Sequence, residues 1–297
     1  MKKTAMIIIN YNSGIEVLEY IKKVEEYTVI NQIIVVDNAS ADGSLKILEQ
    51  ITNKKVKLVK SAQNLGYARG NNLGIEALKE NFDYIIISNP DISIEEKTIK
   101  KCIDEIEKDR NIGIVAPRIF VNGKPDKMSS WKERSFGSDI INSLGFLQII
   151  LYPIYIKGQY RKKDFEKNIT EVECVSGAFF IIKYETLKKV NFFDPNTFLF
   201  YEEDILCKKI REHGYKIFSI NSEKCIHYKS KIINKTFSIF KKKDILNESR
   251  KYYHNTYNKV KKWKLKIFDI LNFFRKVEIL IQIFFCKIKK YLAKNIL

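Results

Sequence analysis

Short apolar runs alternate along the first 120 residues with stretches whose apolar positions recur every three or four residues. AMIIIN (5–10), QIIVVDNAS (32–40), VKLVKS (56–61), DYIIISNPD (83–91) and IGIVAP (112–117) have the continuous apolar character of buried parallel strands. Helical patterns fill the intervals, from about Gly14 to Tyr27, from Ser40–Asp42 to about Gln50, over residues 64–80 after a loop, and over 94–109. Strand–helix repetition at this spacing predicts an α/β domain with a doubly wound, mostly parallel sheet. Beyond it, ECVSGAFFIIK (173–183) reads as a strand, residues 202–213 as a helix with Gly214 as its C-cap, and YKIFSI (215–220) as the last strand.

In such sheets ligands sit beyond the carboxyl ends of the strands. That rule singles out residues 10–12, 37–40, 64–72 and 89–91. Asp37 and Ser40 also suit a strand end and a helix cap. Asn64, Arg69, Asn71 and Asn72 supply many donors for an anionic ligand. Neither G-x-G-x-x-G nor a G-K-S/T phosphate loop is present. Asn89-Pro90-Asp91 is good turn chemistry, and its carboxylate also suits a hard divalent cation shared with phosphate.

FLFYEEDILCKKIREHGYKI (198–217) places Glu202, Glu203 and Asp204 together at a helix start. The helix dipole favours acids there. Three adjacent carboxylates exceed what capping needs, because like charges raise each other's pKa. The cluster suits a general base or a cation site. His227 follows the last strand, whereas His213 and His254 have no supporting context.

Charge divides the chain. Residues 224–297 hold 20 Lys and Arg against 4 Asp and Glu, a net +16 of the chain's formal +18. A basic segment with interleaved aromatics predicts an acidic surface, anionic lipid ahead of nucleic acid. Residues 267–292 are strongly apolar but interrupted by Asp269, Arg275, Lys276 and Glu278, so no run reaches the ~18–20 uncharged residues of a spanning helix. A helix lying in the membrane interface fits better, and packing on the body or on a second subunit is the alternative. SLGFLQIILYPIYI (143–156) is a second apolar patch, also too short to span. The five cysteines are scattered, as expected of free thiols in a reducing compartment, and no signal peptide is read at the start.

Taken together, IIINYNSG, VVDNASADGS, NLGYARGNNLGI, ISNPD, VSGAFFIIK and the acidic helix start resemble glycosyltransferase family 2, over roughly residues 4–230. Within it the likeness is to rhamnosyltransferase-like enzymes of bacterial surface polysaccharide synthesis. The resemblance implies a GT-A fold, placed over residues 1–222, and the charge and apolar pattern makes residues 223–297 a basic amphipathic helical, membrane-associated appendage. It implies an inverting, metal-dependent transfer of a sugar such as rhamnose from a nucleoside-diphosphate donor to a glycan or polyprenyl-linked glycan. By the same resemblance Asn10, Tyr11 and Asn12 line the base pocket, and Asp37, supported by Asn38 and Ser40, bonds the nucleobase. Asn64, Gly66, Arg69 and Asn72 lie near ribose, diphosphate and sugar. Asp91 matches the last acid of the D-x-D metal motif, whose first position is Asn89 here, and His227 matches a late metal-ligating histidine. Mg²⁺ or Mn²⁺ is the implied cofactor. Ser176, Gly177 and Ala178 match a turn near the acceptor, and Glu202 lies on that side.

The family usually carries Glu-Asp before the acidic helix, with Asp as the base. Counting back from Gly214 puts Glu203 there and also aligns Leu206 and Cys207; reading the letters directly puts Asp204 there. The implied location is the cytoplasmic face of the cell membrane, without nucleic acid as a partner and with homodimerisation left open. Competing readings are a sugar nucleotidyltransferase, which the sequence after the first strand does not suit, and a non-catalytic basic membrane- or nucleic-acid-binding protein.

Overall fold

The computed structural model describes residues 2–79, 81–151, 159–228 and 237–295, with side chains up to 288. The chain forms two compact units, Met1–Glu133 with Tyr160–Thr236, and Arg134–Gln159 with Phe237–Leu297. The first contains β1 (Thr4–Asn10), α1 (Gly14–Val24), β2 (Gln32–Asp37), α2 (Ser44–Leu48), β3 (Val56–Lys60) and α3 (Gly66–Glu76). Next come β4 (Tyr84–Ser88), β5 (Ile92–Ser93), α4 (Glu96–Glu107), β6 (Ile112–Val121), β7 (Lys124–Pro125) and β8 (Ser130–Trp131). The second unit's α5 (Phe136–Ser143) intervenes. The first unit then resumes with β9 (Ile169–Glu171), β10 (Cys174–Val175), β11 (Phe179–Lys183), α6 (Tyr184–Lys189), α7 (Glu202–Glu212) and β12 (Lys216–His227).

The main sheet runs β3-β2-β1-β4-β11-β6-β12-β5, with β7 on β6 and β9 on β12. β3, β2, β1 and β4 are parallel neighbours, as are β6 and β12. β11 runs antiparallel between β4 and β6. Period-two alternation sorts the strand residues onto two apolar layers. Met6 and Ile8 face the layer that α1 and α4 cover, through Val17, Ile21, Ile99 and Ile106. Ala5 and Ile7 face the layer covered by α3, α6 and α7, through Ala68, Ile75, Leu187, Leu206 and Ile210.

Two strands differ from the sequence pattern in ways that shape the site. The run 173–183 breaks in two: β10 pairs with β8 in a separate small sheet, and β11 begins only at Phe179. The intervening turn uses its own polar groups, Ser176 N donating to Ser129 O (3.2 Å) and Ala178 N to Ser176 Oγ (3.2 Å). β12 does not stop at residue 220. A register shift between Ile220 and Lys224 absorbs the polar Asn-Ser-Glu, and pairing continues to His227. Residue 222, where the sequence places the end of the first domain, therefore lies inside a strand.

The second unit contains α5, α8 (Ile239–Thr256) and α9 (Lys262–Asn295). Ser238 caps α8 by accepting from Lys241 N (3.2 Å). The amphipathic stretch 267–292 is part of the 34-residue α9. His254 of α8 sits fully buried against the carboxylate of Asp139 of α5 (Nε2–Oδ2 2.9 Å) and stacks on Phe268 of α9. Leu265, Phe268 and Ile279 are buried, while Ile270, Phe273, Phe274, Leu280, Phe284 and Phe285 are at least half exposed. Phe146, Leu147, Ile149 and Ile150, from the patch at 143–156, are also exposed; residues 152–156 of that patch lie outside the described residues. Among the described residues no helix is long and apolar enough to cross a membrane.

Candidate active site

The parallel register places Asn10 of β1 beside Asp37 of β2, at adjacent carboxyl ends. Both are buried, so their polar groups must find partners. Asn10 Nδ2 donates to Asp37 Oδ1 (2.6 Å) and Ser40 Oγ (3.0 Å), and Ser13 Oγ donates to Asn10 Oδ1 (2.9 Å). Ser40 N donates to Asp37 Oδ2 (3.2 Å), and Asn12 N to Ser40 Oγ (2.9 Å). Asn10, Asp37 and Ser40 thus brace one another and shape the loop, and Tyr11 and Asn12 are the partly exposed members above them. Asn12 and Ala39 take positive φ (53° and 62°), a conformation this network holds in place.

Asn38 carries the construction to the next loop. Its Nδ2 donates to Asn64 Oδ1 (3.1 Å) and Gly66 O (3.0 Å), and its Oδ1 accepts from Leu65 N (2.9 Å). Gly66 has φ of 76° and meets the Phe198 backbone where a Cβ would clash. Tyr67 N donates to Phe198 O (3.0 Å), docking the α3 start on the chain that leads to the acidic helix. Arg69 is exposed. Asn72 is turned away from this group: it bonds the Phe193 backbone with both ends of its amide (2.9 and 3.1 Å).

At the end of β4, Asn89 N donates to Ala178 O (2.9 Å), which ties this turn to the Ser176–Ala178 turn. The continuation of β12 brings His227 Nε2 to 3.2 Å from Asp91 Oδ1. Among the described residues no cluster of three or more His, Cys, Asp or Glu side chains could hold a metal. One carboxylate beside one imidazole still fits a divalent ion that also takes diphosphate oxygens and water.

The acidic triplet opens α7 directly after Phe200 and Tyr201, both with positive φ (72° and 69°). That strained entry sends the three carboxylates into different surroundings. Asp204 is buried, and its Oδ1 accepts from Trp131 Nε1 (2.8 Å). Glu202 is buried, and its Oε2 has no hydrogen-bond partner. Burial first, then the neighbouring Glu203, pushes the Glu202 carboxyl well above the ordinary range. Glu203 alone of the three retains partial solvent access. Its Oε1 accepts from Gly177 N (3.2 Å), and Tyr67 Oη donates to Gly177 O (2.6 Å). A Cβ at position 177 would stand 2.7 Å from Glu203 Oε1, so a side chain there would push that carboxylate aside. Burial, then Glu203 and Glu202, raises the Tyr67 hydroxyl far above its ordinary value and keeps it a donor.

The structure thus groups Asn10, Asp37, Asn38, Ser40, Asn64 and Gly66 in one network, pairs Asp91 with His227, and sets Ser176–Ala178 beside Glu203. Sequence reasoning missed Tyr67 and Trp131. The signal for Trp131 is that a buried indole N–H needs an acceptor, but its acceptor is 73 residues away.

A family model, Glycosyl transferase family 2, matches residues 5–190. The chain belongs to this family. Low-salt glycan biosynthesis hexosyltransferase Agl10 of Haloferax volcanii is 25% identical over 226 residues, 75% of this chain and 66% of that protein. The N-acetylglucosaminyl-diphospho-decaprenol L-rhamnosyltransferase of Mycobacterium tuberculosis is 24% identical over 211 residues, 67% of this chain and 66% of that protein. The matched part therefore spans just under two thirds of either relative. The mannosyltransferase PcManGT of Pyrobaculum calidifontis, solved with GDP-Man and Mn²⁺, superposes with a TM-score of 0.57 at 15% identity, covering 91% of this chain and 69% of that one. Family and likeness together identify the fold as GT-A.

The buried Glu202 has a measurable consequence. A carboxyl raised in the folded state holds its proton where the unfolded chain has released it. Its contribution therefore weakens the fold progressively as pH rises above the unfolded value near 4.5 toward the raised folded one. In denaturant titrations Glu202→Gln should match the parent below about pH 4.5 and gain relative stability as pH increases. A stability difference that does not change with pH would show that Glu202 ionises normally.

Proposed function

We propose that this chain is an inverting glycosyltransferase moving a hexosyl-type sugar, rhamnose among the candidates, from a nucleoside diphosphate to a hydroxyl of a glycan or polyprenyl-linked glycan in cell-surface polysaccharide synthesis. The observation that carries the reading is the sorting of the acidic triplet. Glu202 is buried and raised, Asp204 is buried against Trp131, and Glu203 keeps solvent access beside the Ser176–Ala178 turn. That sorting supports Glu203 as the base. Its carboxylate takes the proton of the acceptor hydroxyl as the oxygen bonds to the anomeric carbon. The bond to the diphosphate breaks on the opposite face, its electron pair leaves with the diphosphate, and the anomeric centre inverts. A bound divalent cation, Mg²⁺ or Mn²⁺, held by Asp91 and His227, would offset charge on the departing diphosphate. Tyr11, Asn12 and the loop braced by Asn38 would receive the nucleoside, and exposed Arg69 suits the donor's phosphates.

The hexosyltransferase and the diphospho-decaprenol rhamnosyltransferase among the relatives support this class of donor and acceptor. A polyprenyl-linked acceptor lies at a membrane, and the second unit suits the inner face of one. The half-exposed Phe273, Phe274, Phe284 and Phe285 lie along α9 with Lys266, Lys276 and Lys287. Apolar insertion and attraction to anionic headgroups would act together there.

Glu203→Gln should lower kcat by about 10²–10⁴-fold with little change in donor KM. Asp204→Asn should act mainly on stability, by about 1–3 kcal/mol through its bond to Trp131, and Asp91→Ala should remove cation-dependent transfer. A large kcat loss in Asp204→Asn with a small one in Glu203→Gln would move the base to Asp204.

In co-sedimentation, the full chain should bind anionic vesicles more than neutral ones, with a salt-sensitive part and a salt-resistant part. Replacing Phe273 and Phe274 by serine should remove chiefly the salt-resistant part. Equal, weak binding to both vesicle types would sink the membrane assignment.

A further inference from the structure

Arg118 is an unusual cation in the first unit. It lies on β6, three residues from the strand's carboxyl end, and alternates with Ile114 and Ala116 of the layer that α7 covers. Its guanidinium centre stacks 3.7 Å above the Phe165 ring. Its Nη1 is buried without a hydrogen-bond partner. Burial pulls the group below its ordinary value, and among the described residues no carboxylate offsets that effect. Arg211, also half-buried in this unit, shows the usual arrangement: its Nη2 lies 2.6 Å from Glu133 Oε2. Taking a guanidinium partly out of water without an anion is unfavourable. A stacked guanidinium is, however, well prepared to receive a planar or tetrahedral oxyanion on its edge.

A second cation stands beside it. Lys224 of β12 is the register partner of Arg118, so the two side chains leave the sheet on the same side. Lys224 is exposed and lies 5.2 Å from the Phe120 ring, with no carboxylate partner among the described residues. Ile226 and Tyr228, 43% and 66% exposed, continue along the chain from there. Two unpaired cations are thus followed by an apolar surface. Their place is on the acceptor side. Ile119 N donates to Ser129 Oγ (2.9 Å), and Ser129 O accepts from Ser176 N, joining this stretch of β6 to the acceptor turn.

We propose that Arg118 and Lys224 form a phosphate-recognition subsite for the acceptor, taking the phosphate or diphosphate ester that joins its glycan to an apolar chain. The inference rests on the glycosyltransferase reading above and deepens it: specificity for a lipid-linked acceptor would come from this cation pair, with Phe120, Ile226 and Tyr228 receiving the first part of the chain. The donor diphosphate is the other phosphate in the reaction; the reading above puts it at Asp91 and His227, and His227 alternates to the opposite face of β12 from Lys224.

The test uses the full-length protein with Mg²⁺, saturated with whichever of UDP, GDP and dTDP it binds most tightly. Farnesyl diphosphate is then titrated, with farnesol as the phosphate-free control. Arg118→Met should weaken farnesyl diphosphate binding about 10- to 100-fold, the usual loss for a hydrogen-bonded charged pair. Arg118→Lys should lose less, and Lys224→Met should cost several-fold. Farnesol and nucleoside diphosphate affinities should not change, which also reports that the variants are folded. Unchanged farnesyl diphosphate binding in Arg118→Met, or an equal loss for farnesol, would overturn the subsite. A matching loss of nucleoside diphosphate affinity would assign Arg118 to the donor and overturn it too. Failure of the parent protein to bind any nucleoside diphosphate would instead count against the glycosyltransferase reading.

Discussion

The peptide of Gly177 is the point on which the site depends. Its carbonyl accepts from Tyr67 of α3, and its amide donates to Glu203 of α7. α3 is fixed through Gly66 to Asn38, and so to the Asn10–Asp37–Ser40 network. The same turn accepts Asn89 N at Ala178 O, next to the Asp91–His227 pair. One small-residue turn thus joins the Asn10–Asp37–Ser40 network, the Asp91–His227 pair and the candidate base. A side chain at 177 would separate Glu203 from it. The two hydrogen bonds are ordinary in strength; their value lies in holding groups from distant parts of the chain in one geometry.

The acidic helix start shows how burial can give three similar residues different chemistry. Three ionised carboxylates side by side would repel strongly in a partly dry site. The structure relieves this by giving Asp204 an indole donor and by favouring the neutral form of Glu202. The neighbour of Glu203 is then uncharged, which removes one like charge from beside it. The left-handed Phe200 and Tyr201 aim the triplet, and such strain is sustained only where surrounding contacts over-determine it.

Much of the first unit was legible because its central strands are continuous apolar runs separated by turn residues. The strand ends at Asn10 and Asp37, and the turn that carries Asp91 after β4, followed from that pattern. Side-chain roles did not, because burial is a property of the assembled sheet. Asp37 and Ser40 fit a ligand pocket by residue type, and the structure adds that they brace Asn10. Asn72 fits a donor site and instead holds Phe193. β12 was cut short because Asn-Ser-Glu reads as a turn and a register shift leaves no mark in hydropathy. α8 was missed because its surface is mostly polar, and His254 because its partner Asp139 lies over a hundred residues away. Letter counting left Glu203 and Asp204 both open, and only their surroundings distinguish them.

The division of labour among the three carboxylates can be read directly. Protein labelled with ¹³C at the glutamate side-chain carboxyls can be titrated by carbon-detected NMR, with the Glu202 resonance assigned by its loss in Glu202→Gln. The account predicts that Glu202 keeps its proton well above the pH at which the exposed glutamates release theirs. A Glu202 signal that titrates together with the exposed glutamates would contradict it, since the helix start would then carry three negative charges and burial would not have singled out Glu203.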